Sequence, residues 1–306
     1  MSTYHTPVLL HTSIQALITD PDGIYVDVTF GGGGHSKEIL RHLSPKGKLY
    51  CFDQDAYAQN NFINEFDATN AAFIPQNFRF ISKFLRVQGV TGVNGILADL
   101  GVSSHQFDEG NRGFSIRFDG PLDMRMNTSQ PVSAFDIINR YTEEQLQNIF
   151  SLYGEIRNAK QLANAICAAR LQLRSEGGIK TTAQLREIAL TVVKGEKNPY
   201  LAQLFQSVRI EVNEEMLALK EMLINAAQLI IPGGRLVVIS YHSLEDRMVK
   251  NMMKTGDVYG NPEEDLMGRK NIPFKVVTKK PVTPEQDELQ KNPRSRSAKL
   301  RVAEKI

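Results

Sequence analysis

Four short aliphatic and β-branched runs in the first hundred positions alternate with amphipathic stretches, and few folds accept that order. Residues 24–29, 48–53, 72–74 and 95–100 read as strands, and residues 36–42, 56–66 and 80–87 as helices between them. Parallel neighbours need a long crossover, commonly a helix, so the alternation implies βαβ units. The strand runs hold few polar positions, as expected for a parallel sheet covered on both faces.

Further on the pattern changes. Residues 101–130 are rich in Gly, Ser, Asp and Arg and have no clear period. Residues 132–193 read as helical. Thr142-Glu143-Glu144-Gln145 and Thr181-Thr182-Ala183-Gln184 match the capping box, in which Thr and Gln side chains satisfy unpaired N–H groups at a helix start. Residues 155–173 carry Ile156, Leu162, Ile166 and Leu173 at helical spacing. The alternation then resumes. Residues 211–230 form an expected long helix ended by Pro232-Gly233-Gly234, residues 235–240 a fifth strand, and residues 244–254 a helix. Residues 274–278 and 300–302 are candidate final strands. The simplest architecture is one doubly wound α/β sheet in two parts, residues 1–109 and 207–306, interrupted by a helical insert at residues 110–206.

Composition limits the function classes. No stretch approaches the roughly 18 apolar residues of a membrane span, and residues 1–7 lack the features of a secretory signal. Two distant cysteines, Cys51 and Cys167, form neither a disulfide framework nor a CxxC metal pair. A reducing, cytoplasmic compartment is expected, with no metal and no membrane. The formal charge of +2 conceals an asymmetry: residues 269–306 carry a net of +7 and residues 1–268 a net of −5. A basic tail on an acidic body suggests an anionic partner such as nucleic acid.

The clearest chemical signal is Asp27-Val28-Thr29-Phe30-Gly31-Gly32-Gly33-Gly34-His35-Ser36. Glycines between a strand and a helix let a ligand approach the backbone, and the helix start favours negative charge. A strict G-x-G-x-x-G would place glycine at Ser36. Asp53 follows Gly33 by 20 residues at the end of the second strand, where a carboxylate can accept both ribose hydroxyls of a nucleoside cofactor. Nicotinamide dinucleotides and S-adenosylmethionine both offer that ribose. Asp99 ends the fourth strand, and Tyr241-His242-Ser243 follows the fifth. Ligands of open α/β sheets bind outside the carboxyl ends of strands, so these groups should converge.

Seven stretches together resemble the MraW/RsmH family. They are His5-Thr6-Pro7-Val8-Leu9-Leu10, the glycine segment from Asp27, Asp99-Leu100-Gly101-Val102-Ser103-Ser104, Arg112-Gly113-Phe114-Ser115, Gly120-Pro121-Leu122-Asp123-Met124-Arg125-Met126, His242-Ser243-Leu244-Glu245-Asp246-Arg247, and Asn292-Pro293-Arg294-Ser295-Arg296-Ser297. The resemblance implies a Rossmann-like class I S-adenosylmethionine-dependent methyltransferase sheet with an inserted all-helical domain. It implies methyl transfer to N4 of cytosine 1402 in 16S rRNA, within the small ribosomal subunit. Carried over one position at a time, Gly33, Gly34, His35, Asp53, Phe78, Asp99 and Gln106 match cofactor positions. The chain departs from the family pattern at Gly154-Glu155-Ile156, in residues 199–206, which lack an arginine, and at Tyr241, where the family has Phe. The sequence is compatible with a homodimer.

The amine of cytosine is a poor nucleophile because its lone pair is delocalised into the ring. Orientation and hydrogen-bond acceptors facing the developing positive charge would then carry catalysis. Asp99, Ser103 and His242 are the candidates nearest the amine, although a capping role would equally account for His242. Arg112, Arg125, Arg294 and Arg296 are the candidate RNA contacts, with a salt bridge to Asp123 or Asp119 as the competing role for Arg125. Three other readings fit the sheet: a nicotinamide oxidoreductase, a methyltransferase-fold RNA-binding or ribosome-assembly factor without turnover, and a methyltransferase acting on another RNA or on DNA.

Overall fold

The computed structural model describes residues 7–66, 69–262, 264, 268 and 270–306. His5, Thr6 and Arg269 lie outside the described residues. The chain divides into two compact units, one of residues 1–101 and 216–306 and one of residues 102–215.

The first unit opens with α1 (Leu10–Leu17), β1 (Ile24–Asp27), α2 (Gly34–His42), β2 (Lys48–Phe52), α3 (Ala56–Glu65), β3 (Ala71–Ile74), α4 (Ile81–Val87) and β4 (Val93–Asp99). The second unit holds α5 (Ser104–Asp108), α6 (Ala134–Arg140), α7 (Glu143–Leu152), α8 (Ala159–Gln172), α9 (Thr182–Leu190) and α10 (Lys197–Val212). The chain re-enters the first unit through α11 (Glu215–Leu229), β5 (Ile230–Ser240), α12 (Ser243–Thr255), β6 (Phe274–Val276), α13 (Gln286–Lys291) and β7 (Lys299–Lys305). No helix among the described residues is long and apolar enough to cross a membrane.

The seven strands lie in the order β3-β2-β1-β4-β5-β7-β6. β1 to β5 are parallel neighbours. β7 runs antiparallel between β5 and β6, whereas the sequence pattern suggested only that residues 300–302 add a strand. This is a doubly wound α/β sheet of the kind the sequence pattern implied. The order reverses between β1 and β4, so their carboxyl ends open a crevice at the switch point.

Period-2 alternation splits each central strand between two cores. Val26, Ile96, Leu236 and Val238 pack with Ile81, Leu85, Leu223 and Val249. Tyr25, Leu97, Val237 and Ile239 pack with Ile14, Leu17, Ile39 and Phe62. The sheet is therefore covered by α4, α11 and α12 on one face and by α1, α2 and α3 on the other. Burying each such side chain contributes roughly 1.5–3 kcal/mol.

The second unit has its own core, built from Leu146, Phe150, Leu162, Ile166, Leu185, Leu204 and their neighbours. Both capping boxes form as spaced: Gln145 N–H donates to Thr142 Oγ1 and Gln184 N–H to Thr181 Oγ1, each at 3.2 Å. The helical unit spans residues 102–215, wider at both ends than the 110–206 read from sequence.

Three elements differ from expectation, each for a reason visible in the structure. The long helix expected over 211–230 breaks at Asn213. Its side chain donates to Met124 O (2.7 Å) and accepts from Met126 N (2.7 Å), holding the loop that follows Asp123. Glu214 then takes a left-handed φ of 48°, which ends α10. The helix expected over 155–173 starts only at Ala159, because Glu155 is left-handed at φ 51°. The chain is already strand at Ile230, which pairs with Val93, and the register shifts before Gly95 pairs with Arg235. Residues 231–234 absorb that shift as a bulge, with Gly233 at φ 80°.

Candidate active site

The glycine segment turns sharply between β1 and α2. Gly31 and Gly33 both have positive φ, 52° and 75°, which only glycine adopts without strain. A Cβ on Gly34 would stand 2.2 Å from Pro7 Cγ, so α2 can start here only with no side chain. Asp53, just beyond β2, holds the loop: its Oδ2 accepts from Gly31 N (2.8 Å) and its Oδ1 from Asp55 N (2.9 Å). Each oxygen keeps a second acceptor site. Burial pushes the Asp53 carboxyl up to about 6, against the lowering effect of those two N–H donors. Asp55 caps α3, accepting from Tyr57 N.

Asp27, at the end of β1, is 1% exposed. It accepts from Ser36 Oγ (2.6 Å) and Thr29 N (3.0 Å). Thr29 Oγ1 in turn accepts from Asp99 N at 2.7 Å. One carboxylate thus joins β1, β4 and the first turn of α2. Burial raises the Asp27 pKa, partly offset by His35 and Ser36. Sequence reasoning passed over Asp27 as a functional position. Its signal was an acid closing an apolar strand, where a charge is costly unless hydrogen-bonded.

Asp99 stands at the carboxyl end of β4, beside β1, with its side chain 23% exposed. Tyr241 Oη donates to its Oδ1 at 2.7 Å. Its Oδ2 lies 3.7 Å from His35 Nδ1. His35 Nε2 is 3.1 Å from Val8 O, and a carbonyl only accepts, so that nitrogen carries hydrogen. Burial lifts the Asp99 carboxyl to about 6; His35 and Tyr241 lower it, while Asp27 and Glu245 raise it. Tyr241 is raised in turn by burial and by Asp99. The structure therefore brings the glycine loop, His35, Asp53 and Asp99 to one end of one sheet, and adds Asp27 and Tyr241.

The other sequence candidates have more local partners. Phe78 is partly buried against the core under α4 and α11. His242 caps α12: its Nδ1 accepts from Glu245 N (3.4 Å), while Glu245 Oε2 accepts from Tyr241 N and His242 N. Nε2 of His242 lies 3.1 Å from Glu245 Oε1 without the alignment of a hydrogen bond. Within the helical unit, Ser103 and the buried Gln106 form the capping box that starts α5. Arg112 donates to the carbonyls of Arg125 and Met126 (3.0 and 3.1 Å). Arg125 forks onto Asp123, with both bonds at 2.8 Å, and donates a third to Gln130 O. The salt bridge, the competing role for Arg125, is the one formed.

Arg294 and Arg296 are exposed on a 3₁₀ turn, Pro293–Ser297, in the sheet unit. The rest of the basic tail is partly structural. Arg301 is 8% exposed and bidentate on Asp246 (2.6 and 3.2 Å), and Lys299 lies 3.6 Å from the same carboxylate. No metal-binding cluster of His, Cys, Asp and Glu occurs among the described residues.

The donor set fits S-adenosylmethionine. Asp53 retains acceptors for a ribose diol, the loop exposes backbone at a helix start, and the part-exposed Asp99 offers a carboxylate to a cationic ligand, with Asp27 buried behind it as the brace of the loop.

Comparison with known proteins gives one family. The model of the MraW methylase family matches residues 2–306. A relative named "Ribosomal RNA small subunit methyltransferase H" in Bacteroides fragilis is 53% identical over 305 residues, covering 99% of this chain and 98% of its own. One of the same name in Cytophaga hutchinsonii is 52% identical over 303 residues, covering 99% of each. A crystal structure described as a putative rRNA-methylase from Clostridium thermocellum covers 100% of both chains at 13% identity and a TM-score of 0.43.

Proposed function

Since the chain belongs to the MraW methylase family, we propose that it transfers the methyl group of S-adenosylmethionine to the exocyclic N4 of cytosine 1402 in 16S rRNA, in the cytoplasm and on the small ribosomal subunit. The observation that carries this reading is the convergence of the glycine loop, Asp53 and Asp99 at the switch point of a class I sheet, in a chain so similar to relatives named as small-subunit rRNA methyltransferases.

Asp53 would hold the ribose, with Gly33, Gly34 and His35 forming the loop beneath the cofactor. Phe78 would pack near its adenine, and Gln106 is kept as a cofactor contact on the resemblance alone. The bound cofactor supplies an electrophilic methyl on a sulfonium. Asp99 has two tasks open to it: to accept an N–H of the target amine, or to hold the cationic amino group of the cofactor. Both require the ionised carboxylate. In the first, hydrogen bonding favours a tetrahedral nitrogen, and the carboxylate takes the proton that nitrogen sheds as it gains the methyl. A base with a pKa of about 6 is well matched to that step near neutral pH.

His242 and Ser103 are kept as candidates for the amine, each beside the helix-capping role it fills. RNA contact is placed on Arg294 and Arg296, while Arg112 and Arg125 hold their loop in the helical unit, which we read as the RNA-recognition domain.

The test is single-turnover transfer of labelled methyl to small ribosomal subunits, with cofactor affinity measured separately. Asp99→Ala should lose transfer by at least about a hundredfold, and Asp53→Ala should lose cofactor affinity first. Unimpaired transfer in Asp99→Ala and His242→Ala would refute the site.

A further inference from the structure

A groove of about 340 Å³ runs between α12 and the β6–β7 edge of the sheet, apart from the crevice above β1 and β4. Its floor includes Met253 from α12 and Val276 from β6. Its rim is cationic: Lys250 and Lys254 on α12, and Lys279 just past β6.

All three rim lysines are exposed, and none forms an ion pair among the described residues. Lys250 and Lys254 are one turn apart on the same side of the helix, so they repel each other across the groove wall. At Val277 and Thr278 the chain leaves β6, both N–H groups converging on Val302 O (3.0 and 3.2 Å). That turn delivers Lys279 to the opposite wall.

The charge continues toward the candidate active site. Arg301 lines the groove, and Lys299 lies two residues back on β7, the same face by strand alternation. Both cations share the single carboxylate of Asp246, which leaves a positive excess there. Lys299 pairs in register with Ser240, whose chain continues into Tyr241 and His242. From His242 along α12 to Lys250 and Lys254 is roughly 12 to 18 Å, at 1.5 Å per residue. A stacked strand rising about 3.4 Å per nucleotide covers that span in about four or five nucleotides.

We propose that this groove is a track for the sugar-phosphate backbone of the single-stranded RNA flanking the target nucleotide, with Lys250, Lys254 and Lys279 as its phosphate contacts. The proposal rests on the reading of the substrate as RNA. Phosphates would relieve the repulsion between the lysines, and the apolar floor suits the face of a ribose or base. The contacts are to backbone, so they add affinity without sequence preference.

The test compares the full-length protein with Lys250→Gln/Lys254→Gln, with the same pair plus Lys279→Gln, and with Lys46→Gln/Lys48→Gln as a charge-matched control far from the groove. Binding of a single-stranded RNA oligonucleotide covering the target and its flanks is measured from about 50 to 300 mM salt. The slope of log affinity against log salt should become shallower by about 1.4 in the double variant and about 2.1 in the triple. Affinity near 0.1 M salt should fall at least about tenfold in the triple variant. Cofactor affinity and thermal midpoint should not move, and the control should keep the parent slope. A groove variant with the slope of the parent, or a control that changes as much, overturns the proposal while leaving the methyltransferase reading intact. Parent protein that shows no salt-dependent RNA binding also overturns the proposal, while the methyltransferase reading stands or falls separately on label transfer to small ribosomal subunits.

Discussion

Replacing Tyr241 by Phe removes one oxygen and leaves the ring, which makes it a clean probe of Asp99. The lost atom is the donor at 2.7 Å from Asp99 Oδ1, the one side-chain hydrogen bond that this carboxylate accepts among the described residues. The other groups facing Asp99 are His35 from α2, Asp27 from β1 and Glu245 from α12, all untouched by the substitution. A hydrogen bond donated to a carboxylate favours its ionised form, so losing it raises the pKa. Hydrogen bonds to charged groups contribute about 1.5–3 kcal/mol. Asp99 is 23% exposed, so the lower end applies, and about 1.4 kcal/mol is one pH unit. The acid limb of methyl transfer should therefore move from about 6 toward about 7. Near pH 6.5 the variant should be about threefold slower, and above about pH 8.5 it should match the parent. Single-turnover rates at saturating cofactor from about pH 5.5 to 9 read the limb. Carbon-13 carboxyl shifts, assigned with Asp99→Asn, read the same titration without any turnover. Coincident limbs and coincident carboxyl titrations would refute the role given to Tyr241.

Asp99 should also trade stability for function. Burial lifts its folded-state pKa from 3.8 to about 6, so folding takes up a proton between those values and stability is lost as pH rises through that window. Asp99→Asn removes up to about 3 kcal/mol of that cost, so its thermal midpoint at pH 8 should exceed the parent's by a few degrees, with the gap closing by pH 4. Cofactor affinity measured by calorimetry should rise with pH through about 6, because ionised Asp53 and Asp99 favour a cationic ligand. Gly34→Ala should weaken cofactor binding at least about tenfold and cost about 1–3 kcal/mol in denaturant unfolding, since its Cβ would meet Pro7 Cγ at 2.2 Å. Arg125→Met should lower stability through the stranded Asp123 carboxylate, whereas Arg294→Gln/Arg296→Gln should reduce RNA affinity at unchanged stability.

Much of the sheet was legible because its signals are local. Apolar runs, glycine turns and capping boxes lie within a few residues of the structure they specify, as Thr142 and Thr181 do. Asp53 was legible through its spacing from the glycine loop. The features that escaped depend on distant partners. Tyr241 meets Asp99 across 142 positions, and nothing near either residue announces the other. Asn213 breaks a convincing helical period because it serves a loop 87 residues away. The antiparallel placement of β7 depends on pairing with β5, which residues 299–305 do not reveal alone. The basic tail divides for the same reason: its composition is cationic throughout, yet Arg301 is a buried ion-pair partner of Asp246 whereas Arg294 and Arg296 are exposed.

The most direct test of the central claim is to incubate the protein with small ribosomal subunits lacking this modification and S-adenosylmethionine labelled in the methyl group, and then map the label by nucleoside mass spectrometry. The account predicts one labelled methyl on the exocyclic nitrogen of cytosine 1402, absent with Asp99→Ala. Label on a ring carbon, on a ribose hydroxyl or at another nucleotide would contradict it, as would bound subunits that acquire no label.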